Sequence, residues 1–229
     1  MESIELTILY LDDYIVAVNK PTGLLVHRTY IATQDDQFVL QILRNQIKKY
    51  IYPVHRLDKK TSGVLIFALD KETAKLLQQD FINHQIEKRY LAIVRGFFPD
   101  EILVDYPLIS DSGKKQEAIT YFKAIKRNEI PVAFGKHVSS RYSLIEAFPK
   151  TGRMHQIRKH CNHLRHPIIG DRPHGCNKQN KLFKETWDMT SMLLHAQQIK
   201  LVHPKTKELL LIEAPLFSEF IRMQTILGL

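Results

Sequence analysis

The stretch HRLDKKTSG, residues 55–63, leads directly into the apolar run VLIFAL, residues 64–69. An apolar run of this length, entered through Thr-Ser-Gly, predicts a buried strand that begins at a turn. The stretch before it holds one acid, Asp58, among one histidine and three Lys or Arg residues. Nearby cations favour the ionised carboxylate, and a loop fixed by a rigid strand can present it as a nucleophile or a base. An aspartate that only pairs with Arg56 or caps a turn fits these residues equally well.

On either side of this stretch, the hydrophobic pattern predicts more strands than helices, without regular alternation between them. Helices are expected over residues 37–49, over residues 71–84 with Asp70 as the cap, and over residues 217–227. Further strands are expected over residues 8–11, 14–18, 88–94, 119–125, 142–148, 193–202 and 208–212. This order of elements indicates an α+β fold with a mixed, largely antiparallel sheet.

The composition is that of an ordinary globular protein. The chain has 229 residues, of which 44% are hydrophobic and 25% charged, enough for one large domain or two small ones. Two cysteines, Cys161 and Cys176, are too few for a disulfide framework and indicate a reduced compartment. No apolar run approaches the roughly 18 residues of a membrane-spanning helix, and the acidic N-terminus does not resemble a signal peptide. We therefore expect a cytoplasmic protein that does not contact a membrane.

Positive charge is concentrated in one segment. The net charge is +9, and the segment from Lys150 to Lys184 contains nine Lys or Arg residues against one acid, Asp171. A solvated basic face is the simplest explanation, but this concentration favours a polyanion such as a nucleic acid. Five of the eleven histidines also lie there. They match no zinc-binding spacing, no carboxylate accompanies His160, Cys161 and His163, and the surrounding Lys and Arg residues would oppose a cation, so we expect no metal.

Two further stretches carry candidate functional residues. TGRMHQIRKH, residues 151–160, predicts a helix that starts at Thr151 or Gly152 and could deliver Arg158 to a site from beside its apolar face. A plain basic amphipathic helix remains the alternative. At the start of EKRYLAIV, residues 87–94, Tyr90 follows two cations and could stack on a base, or pack as a half-buried strand residue. Walker, dinucleotide-binding, zinc-protease and serine-hydrolase signatures are absent from the sequence.

Together these stretches resemble the RluA-type pseudouridine synthase family. Residues 55–63 resemble its signature HRLDxxTSG, residues 88–90 its second motif, and residues 151–160 its third motif, TGRxHQIRxH. NKPTGL at residues 19–24 and HPIIGD at residues 166–171 also match, in the family's order. The resemblance covers essentially the whole chain. It implies the pseudouridine synthase fold, with residues 1–229 as one catalytic domain, helices flanking the sheet, and an RNA-binding cleft.

The resemblance also implies an activity and the residues that perform it. The enzyme would be an isomerase that flips a uridine out of RNA and converts it to pseudouridine. Asp58 would act as nucleophile or as base at the ribose, Arg158 would pair with Asp58, and Arg56 would help to displace the base. Tyr90 would stack on the base and is a candidate to take the C5 proton. Six further residues are expected to contact RNA: His55, Thr61, Arg153, His155, Lys159 and Arg165. The reaction involves no redox change, so no cofactor is expected.

Within the family, the sequence is most similar to the tRNA uridine-65 synthases. The residues that carry this similarity are 25–28, 164–171 and 174–175, and no S4-type RNA-binding domain precedes residue 19. We therefore expect a monomer that acts on tRNA, with uridine 65 of the T-stem as its target. The alternatives are ribosomal RNA or another tRNA position. Two alternatives come from other functional classes: a non-catalytic RNA-binding protein and a metal-dependent nuclease.

Overall fold

The structure, a computed structural model, describes residues 4–27 and 37–229. Arg28, which contributes to the resemblance to the tRNA-acting enzymes, lies outside the described residues. The chain divides into two compact units. Unit 1 draws on Met1–Lys88 and Ala196–Pro215, and unit 2 on Arg89–His195 and Leu216–Leu229. Within the described part of the chain, no helix is long and apolar enough to cross a membrane.

The helices and strands follow the expected order, with additions. In chain order they are β1 (Thr7–Leu11), β2 (Ile15–Lys20), α1 (Val39–Ile47), β3 (Tyr52–Pro53), β4 (Ser62–Ala68), α2 (Lys71–Ile82), β5 (Glu87–Arg95), β6 (Glu101–Asp105), β7 (Leu108–Ile109), β8 (Lys115–Gln116), β9 (Ile119–Ile130), β10 (Ser140–Pro149), α3 (Gln156–His163), α4 (Asn177–Trp187), β11 (Leu194–Val202), β12 (Leu209–Glu213) and α5 (Ser218–Ile226).

Unit 1 is built around β4, the strand that the apolar run predicts. Its strands lie in the order β1-β2-β4-β11, β12 pairs with β11, and every residue of β4 is buried. Ile66 of β4 belongs to the same buried cluster as Ile15 of β2 and Leu77 of α2. Asp70 caps α2 as expected, because its carboxylate accepts a hydrogen bond from the backbone N–H of Thr73 at 2.8 Å.

Unit 2 is an antiparallel sheet with helices on both faces. Its strands lie in the order β5-β10-β9-β6, each antiparallel to its neighbour. Successive residues of a strand point to opposite faces, so Val94 packs with α3 and Ile93 packs with α4 and α5.

Leu25 and Phe38 add a parallel bridge in unit 1. The predicted α+β fold with a mixed, largely antiparallel sheet is confirmed.

Candidate active site

The loop that carries Asp58 runs between β3 and β4 in unit 1. Asp58 is half-buried, and its backbone carbonyl accepts a hydrogen bond from the N–H of Thr61 at 3.1 Å. Where the loop enters β4, Gly63 has a φ of 109°, and a Cβ there would lie 2.2 Å from the carbonyl oxygen of Ala196. Glycine alone tolerates both conditions, so a glycine is required where the loop passes into β4 beside Ala196.

The last residue of β2 and the segment that follows it hold the turn after Asp58. The ammonium group of Lys20 donates to the carbonyl oxygen of Lys59 at 3.0 Å, and the hydroxyl of Thr22 donates to that of Lys60 at 2.9 Å. These bonds supply hydrogen-bond donors to two backbone carbonyl groups that would otherwise have to bond to water. The turn is therefore anchored from outside its own sequence, which limits the positions that Asp58 can take.

Lys20 is also part of the electrostatic environment of Asp58. Its side chain is fully buried, and this burial lowers the pKa of Lys20 to about 7, while the nearby charge of Asp58 acts in the opposite direction. Sequence reasoning did not include Lys20 among the site residues. The signal that could have identified it is the NKPTGL match at residues 19–24, since a lysine in a fixed motif after an apolar strand needs a local partner.

The three other site residues predicted from this stretch have different environments. His55 packs face to face on Phe81, with ring centroids 4.6 Å apart, and its Nε2 accepts the N–H of Ile66 at 3.0 Å. Burial, with a smaller contribution from the charge of Lys88, lowers the pKa of His55 to about 3, so the ring is neutral. Thr61 is buried and Arg56 is exposed to solvent. The predicted RNA contact of His55 stays a prediction, and its ring has a packing role inside unit 1.

Helix α3 begins at Gln156, and the expected start at Thr151 or Gly152 is wrong. The side chain of the buried Gln156 holds the preceding residues in a loop. Its Oε1 accepts the hydroxyl of Thr151 at 2.7 Å and the N–H of Arg153 at 2.9 Å, and its amide nitrogen donates to Thr120 at 3.0 Å. The bond to the backbone N–H of Arg153 satisfies that donor in a non-helical conformation, and the two side-chain bonds hold the loop in place of the helical turn that the sequence suggested.

Arg158 is buried against Asp171, a partner that sequence reasoning missed. Its Nε donates to one carboxylate oxygen at 2.8 Å and an Nη donates to the other at 2.7 Å, with 6% of Arg158 and 1% of Asp171 exposed. This two-bond geometry is the strongest that a guanidinium forms with a carboxylate. Asp171 is the one acid between Lys150 and Lys184, and that singularity is the signal that could have identified it.

Asp171 connects this ion pair to a pair of histidines. The backbone N–H of His174 donates to Oδ1 of Asp171 at 3.3 Å. The ring of the same residue contacts His155, with Nε2 of His174 lying 2.8 Å from Nδ1 of His155. Burial lowers the pKa of His174, and the charge of Asp171 acts against this shift. His155 itself has a φ of 57°, the left-handed conformation, at the position immediately before α3. Asp171 thus holds Arg158 directly, and His155 of the same motif contacts a histidine whose backbone N–H bonds to the same carboxylate.

The remaining predicted site residues lie on the sheet and at the surface of unit 2. Tyr90 is half-buried on β5 opposite Ala147 of β10. Arg153 is half-buried and donates through Nε to the carbonyl of Glu117 at 2.8 Å. Lys159 is half-buried, and Arg165 is exposed with a φ of 63°. Of the cations predicted to contact RNA from this segment, Arg165 is therefore the one most open to solvent.

The basic segment nevertheless presents a positive surface. Six of its cations are exposed: Lys150, Arg165, Arg172, Lys178, Lys181 and Lys184. Its single acid is buried with Arg158, so it does not neutralise these exposed charges. Lys181 is paired with Glu185 at 3.6 Å, which is a weak, solvent-screened contact. The surface is suited to the phosphates of a nucleic acid.

The interior of unit 2 uses a histidine and a cysteine in packing. The two ring nitrogens of the buried His160 lie 2.9 Å from the hydroxyl of Thr120 and 3.0 Å from the carbonyl of Tyr106. Cys161 is buried, and burial raises the pKa of its thiol. Across residues 4–27 and 37–229, no group of three or more His, Cys, Asp or Glu side chains is arranged to hold a metal ion.

Comparisons with known proteins agree with the motifs. The family described as RNA pseudouridylate synthase matches residues 14–163. A Vibrio parahaemolyticus protein named tRNA pseudouridine synthase C is 47% identical over 225 residues, which cover 93% of this chain and 92% of the relative. A Haemophilus ducreyi protein of the same name is 43% identical over 226 residues, covering 94% and 93%.

A solved structure supports the fold. The chain is similar to the human RNA pseudouridylate synthase domain containing 4, with a TM-score of 0.76 and 26% sequence identity. The match covers 97% of this chain and 93% of the human chain. The elements described above therefore correspond to those of an RNA pseudouridylate synthase along nearly their whole length.

Proposed function

This chain belongs to the RNA pseudouridylate synthase family, and we propose that it converts uridine 65 in the T-stem of tRNA to pseudouridine. The observation that carries the proposal is the extended identity to relatives named tRNA pseudouridine synthase C, which runs over nine-tenths of both chains. The position within tRNA rests on the similarity of residues 164–171 and 174–175 to the uridine-65 synthases.

Asp58 is the residue that we propose for the chemical step. The reaction breaks the bond between C1′ of the ribose and N1 of the uracil, and it forms a bond between C1′ and C5. C5 then loses its proton and N1 gains one, so the product is an isomer of the substrate and no electrons are exchanged. A half-buried carboxylate on an anchored loop can attack C1′ or remove a ribose proton. Both routes are consistent with this position.

Three more residues have proposed roles at the uridine. Tyr90 stacks on the base and accepts the C5 proton, Arg56 helps to displace the base, and Arg158 pairs with Asp58. In unit 2, Asp171 supports the last of these roles, because it fixes the guanidinium of Arg158 through two hydrogen bonds. Lys20 supports Asp58 through the turn that it anchors.

The exposed cations of the basic segment are proposed to contact tRNA phosphates, together with His55, Thr61, Arg153, His155 and Lys159. We also propose that the chain works as one catalytic domain, as a monomer and in the cytoplasm. Its two cysteines, both free thiols, fit a reduced compartment. An isomerisation of this kind needs no redox cofactor, and we propose that the enzyme uses none.

The test of this function compares substrates. The purified protein is supplied in separate reactions with unmodified tRNA and with fragments of ribosomal RNA, and the pseudouridines formed are mapped. We expect modification of tRNA at position 65 and none of the ribosomal fragments. Efficient modification of ribosomal fragments without modification of tRNA would overturn the substrate proposal. It would leave the family and the role of Asp58 intact. Retained activity in excess chelator would exclude a metal-dependent nuclease as the source of any RNA change.

A further inference from the structure

Unit 2 contains a cavity that involves none of the residues assigned to catalysis. Its volume is about 350 Å³, within the range of small-molecule sites, which is roughly 300–1,000 Å³. It lies among the end of β5, the connection from β9 to β10, and the first turn of α4. Five of its side chains determine which ligand it can hold: Arg95, Phe134, His137, Arg141 and Gln179.

Arg95 is a half-buried cation that lines this cavity. Its guanidinium lies 4.0 Å from the sulfur of Cys176, a weak acceptor, and 5.0 Å from the ring centroid of Phe134. In the part of the chain that the structure describes, no carboxylate pairs with Arg95. Withdrawing a guanidinium from water without a counter-charge is unfavourable, and a ligand with an anionic group would remove that cost.

The second arginine of the cavity does not supply net charge. Arg141 donates through Nε to a carboxylate oxygen of Glu129 at 2.9 Å, so its charge is already balanced. Gln179 is buried and donates its amide to the hydroxyl of Tyr142 at 2.7 Å. The cavity therefore has room for one anionic group at Arg95, and Arg141 can add hydrogen bonds without adding net positive charge.

A tight turn holds the aromatic side of the cavity. The N–H of Phe134 donates to the carbonyl of His137 at 2.9 Å, the reverse bond measures 3.2 Å, and Gly135 between them has a φ of 62°. This turn fixes the ring of Phe134 beside the guanidinium of Arg95. An aromatic ring next to a guanidinium is a surface on which planar groups such as nucleobases stack.

We propose that this cavity binds a nucleotide, with the phosphate on Arg95 and the base against Phe134. The same chemistry has two sources: a free nucleoside monophosphate, or a nucleotide of the RNA substrate. Only the second source rests on the proposed function. In the first case the cavity is a ligand site independent of pseudouridine formation, and in the second it is an additional contact to the substrate.

The first experiment titrates the full chain with AMP, inorganic phosphate and adenosine by calorimetry. AMP is chosen because it lacks the uracil that the catalytic site recognises. We expect saturable AMP binding that is stronger than binding of phosphate or adenosine. Arg95→Met should weaken AMP binding about tenfold or more, the effect of losing one charge-assisted hydrogen-bonding group. Phe134→Leu should weaken binding of AMP and leave phosphate binding unchanged.

Arg222→Met is the matched control. Arg222 is an exposed arginine of the same unit that has a carboxylate partner, Glu219, at 3.3 Å. Its replacement should leave AMP binding as in the wild type. Melting temperatures establish that each variant is folded, and Phe134→Leu keeps the proposal testable if Arg95→Met does not fold.

The second experiment separates the two sources through tRNA kinetics. If the ligand is a nucleotide of the substrate, Arg95→Met and Phe134→Leu raise KM for tRNA at unchanged kcat, and Arg222→Met does not. If the ligand is a free nucleotide, AMP binds but KM is unchanged in both variants. The proposal is overturned if AMP does not bind saturably and both variants match the wild type in KM. A protein without pseudouridine synthase activity would refute the proposed function and leave the AMP titration interpretable.

Discussion

Asp58 and Asp171 are both acids in strongly basic stretches of sequence, but the two units hold them in opposite ways. In unit 2, Asp171 is 1% exposed, and both of its oxygens accept hydrogen bonds from Arg158. In unit 1, Asp58 is half-buried on a loop, and the buried cation beside it, Lys20, donates to the backbone of the turn. In unit 2 the carboxylate itself is fixed. In unit 1 the loop is fixed, and the half-buried carboxylate remains accessible to a substrate.

The two arrangements separate a residue suited to chemistry from one suited to stability. A buried, two-bond ion pair is expensive to break from one side, because the remaining charge has no partner and no water. A half-buried carboxylate on an anchored loop contributes less to stability and is available to a substrate. Substitutions at the two acids should therefore have separable effects, one on turnover and one on the free energy of unfolding.

The largest expected effect is on turnover at Asp58. Asp58→Asn keeps the shape of the side chain and removes its charge, so we expect the single-turnover rate of pseudouridine formation to fall by about 10⁴-fold or more, the scale of losing a catalytic nucleophile or base. Affinity for RNA, measured by filter binding, and the melting temperature should stay close to the wild-type values. Appreciable turnover by the variant would remove Asp58 from the chemical step.

The next effect is on stability in unit 2. Arg158→Met leaves Asp171 buried without a counter-charge, and we expect a loss of about 3–5 kcal/mol in the free energy of unfolding, measured by urea denaturation. The double variant Arg158→Met/Asp171→Leu should recover most of this loss, because the two changes remove one interaction. Lys181→Met, which breaks an exposed pair with Glu185, is the control and should change stability by less than about 1 kcal/mol. Additive losses in the double variant would show that the two side chains do not act as a pair.

The buried cations of the two units also differ in their response to pH, an effect that is smaller for each unit of pH. An arginine keeps its charge throughout, but burial lowers the pKa of Lys20 from its ordinary value of 10.5 to about 7. Between pH 7 and 10.5 the unfolded chain therefore binds more protons at this residue than the folded chain. Raising the pH through that window favours the folded state, by at most ~1.4 kcal/mol per pH unit.

The measurement for Lys20 is the free energy of unfolding as a function of pH. Relative to the wild type, Lys20→Met should lack the rise that begins near pH 7. Lys88→Met is the comparison, because burial lowers the pKa of Lys88 to about 8 and its part of the rise begins one pH unit higher. Parallel wild-type and Lys20→Met curves would mean that Lys20 stays charged in the folded protein.

The smallest expected effect concerns the exposed surface of the basic segment. Replacing Lys178, Lys181 and Lys184 with glutamine should reduce the salt dependence of tRNA binding, by about 0.9 in the log–log slope for each phosphate that is no longer neutralised. Turnover of the bound complex should not change. A control with Lys48, Lys49 and Lys71 replaced, all exposed cations of unit 1, should retain the wild-type slope. Equal slopes in both triple variants would show that the segment is a solvated surface.

Periodic apolar patterns predicted most of the fold, and polar interactions account for what they missed. The strand after residue 63 and the helix capped by Asp70 were predicted because their apolar residues follow a regular pattern in the sequence, and the structure buries these residues. Helix α4 was not predicted, since Gln179 and Phe183 are its only buried residues in the described chain and give little periodic signal. β9 runs to Ile130, beyond the predicted end, because its pairing with β10 continues through exposed polar residues.

The candidate site was predictable as a set of motifs and less so as a set of contacts. Asp58 and Arg158 were predicted as site residues from the motifs that contain them, but a sequence does not specify which acid a buried arginine meets. Asp171 lies thirteen residues beyond Arg158, and the loop that returns it is held by bonds such as that from Asn180 to the Asp171 carbonyl at 2.7 Å. Lys20 was missed because its hydrogen-bond partners are backbone carbonyl groups, which a sequence does not specify either.

The most direct test of the proposed activity uses two tRNA transcripts labelled with tritium at C5 of every uridine. They differ only in the base pair that contains position 65: this position is uridine in one transcript and cytidine in the other, and its pairing nucleotide is changed to match. Pseudouridine formation releases the C5 hydrogen of the uridine that reacts. We predict that the wild-type protein releases one tritium per molecule from the first transcript and none from the second, and that Asp58→Asn releases none from either. Equal release from both transcripts, or release by Asp58→Asn at the wild-type rate, would contradict the assignment of uridine 65 and Asp58.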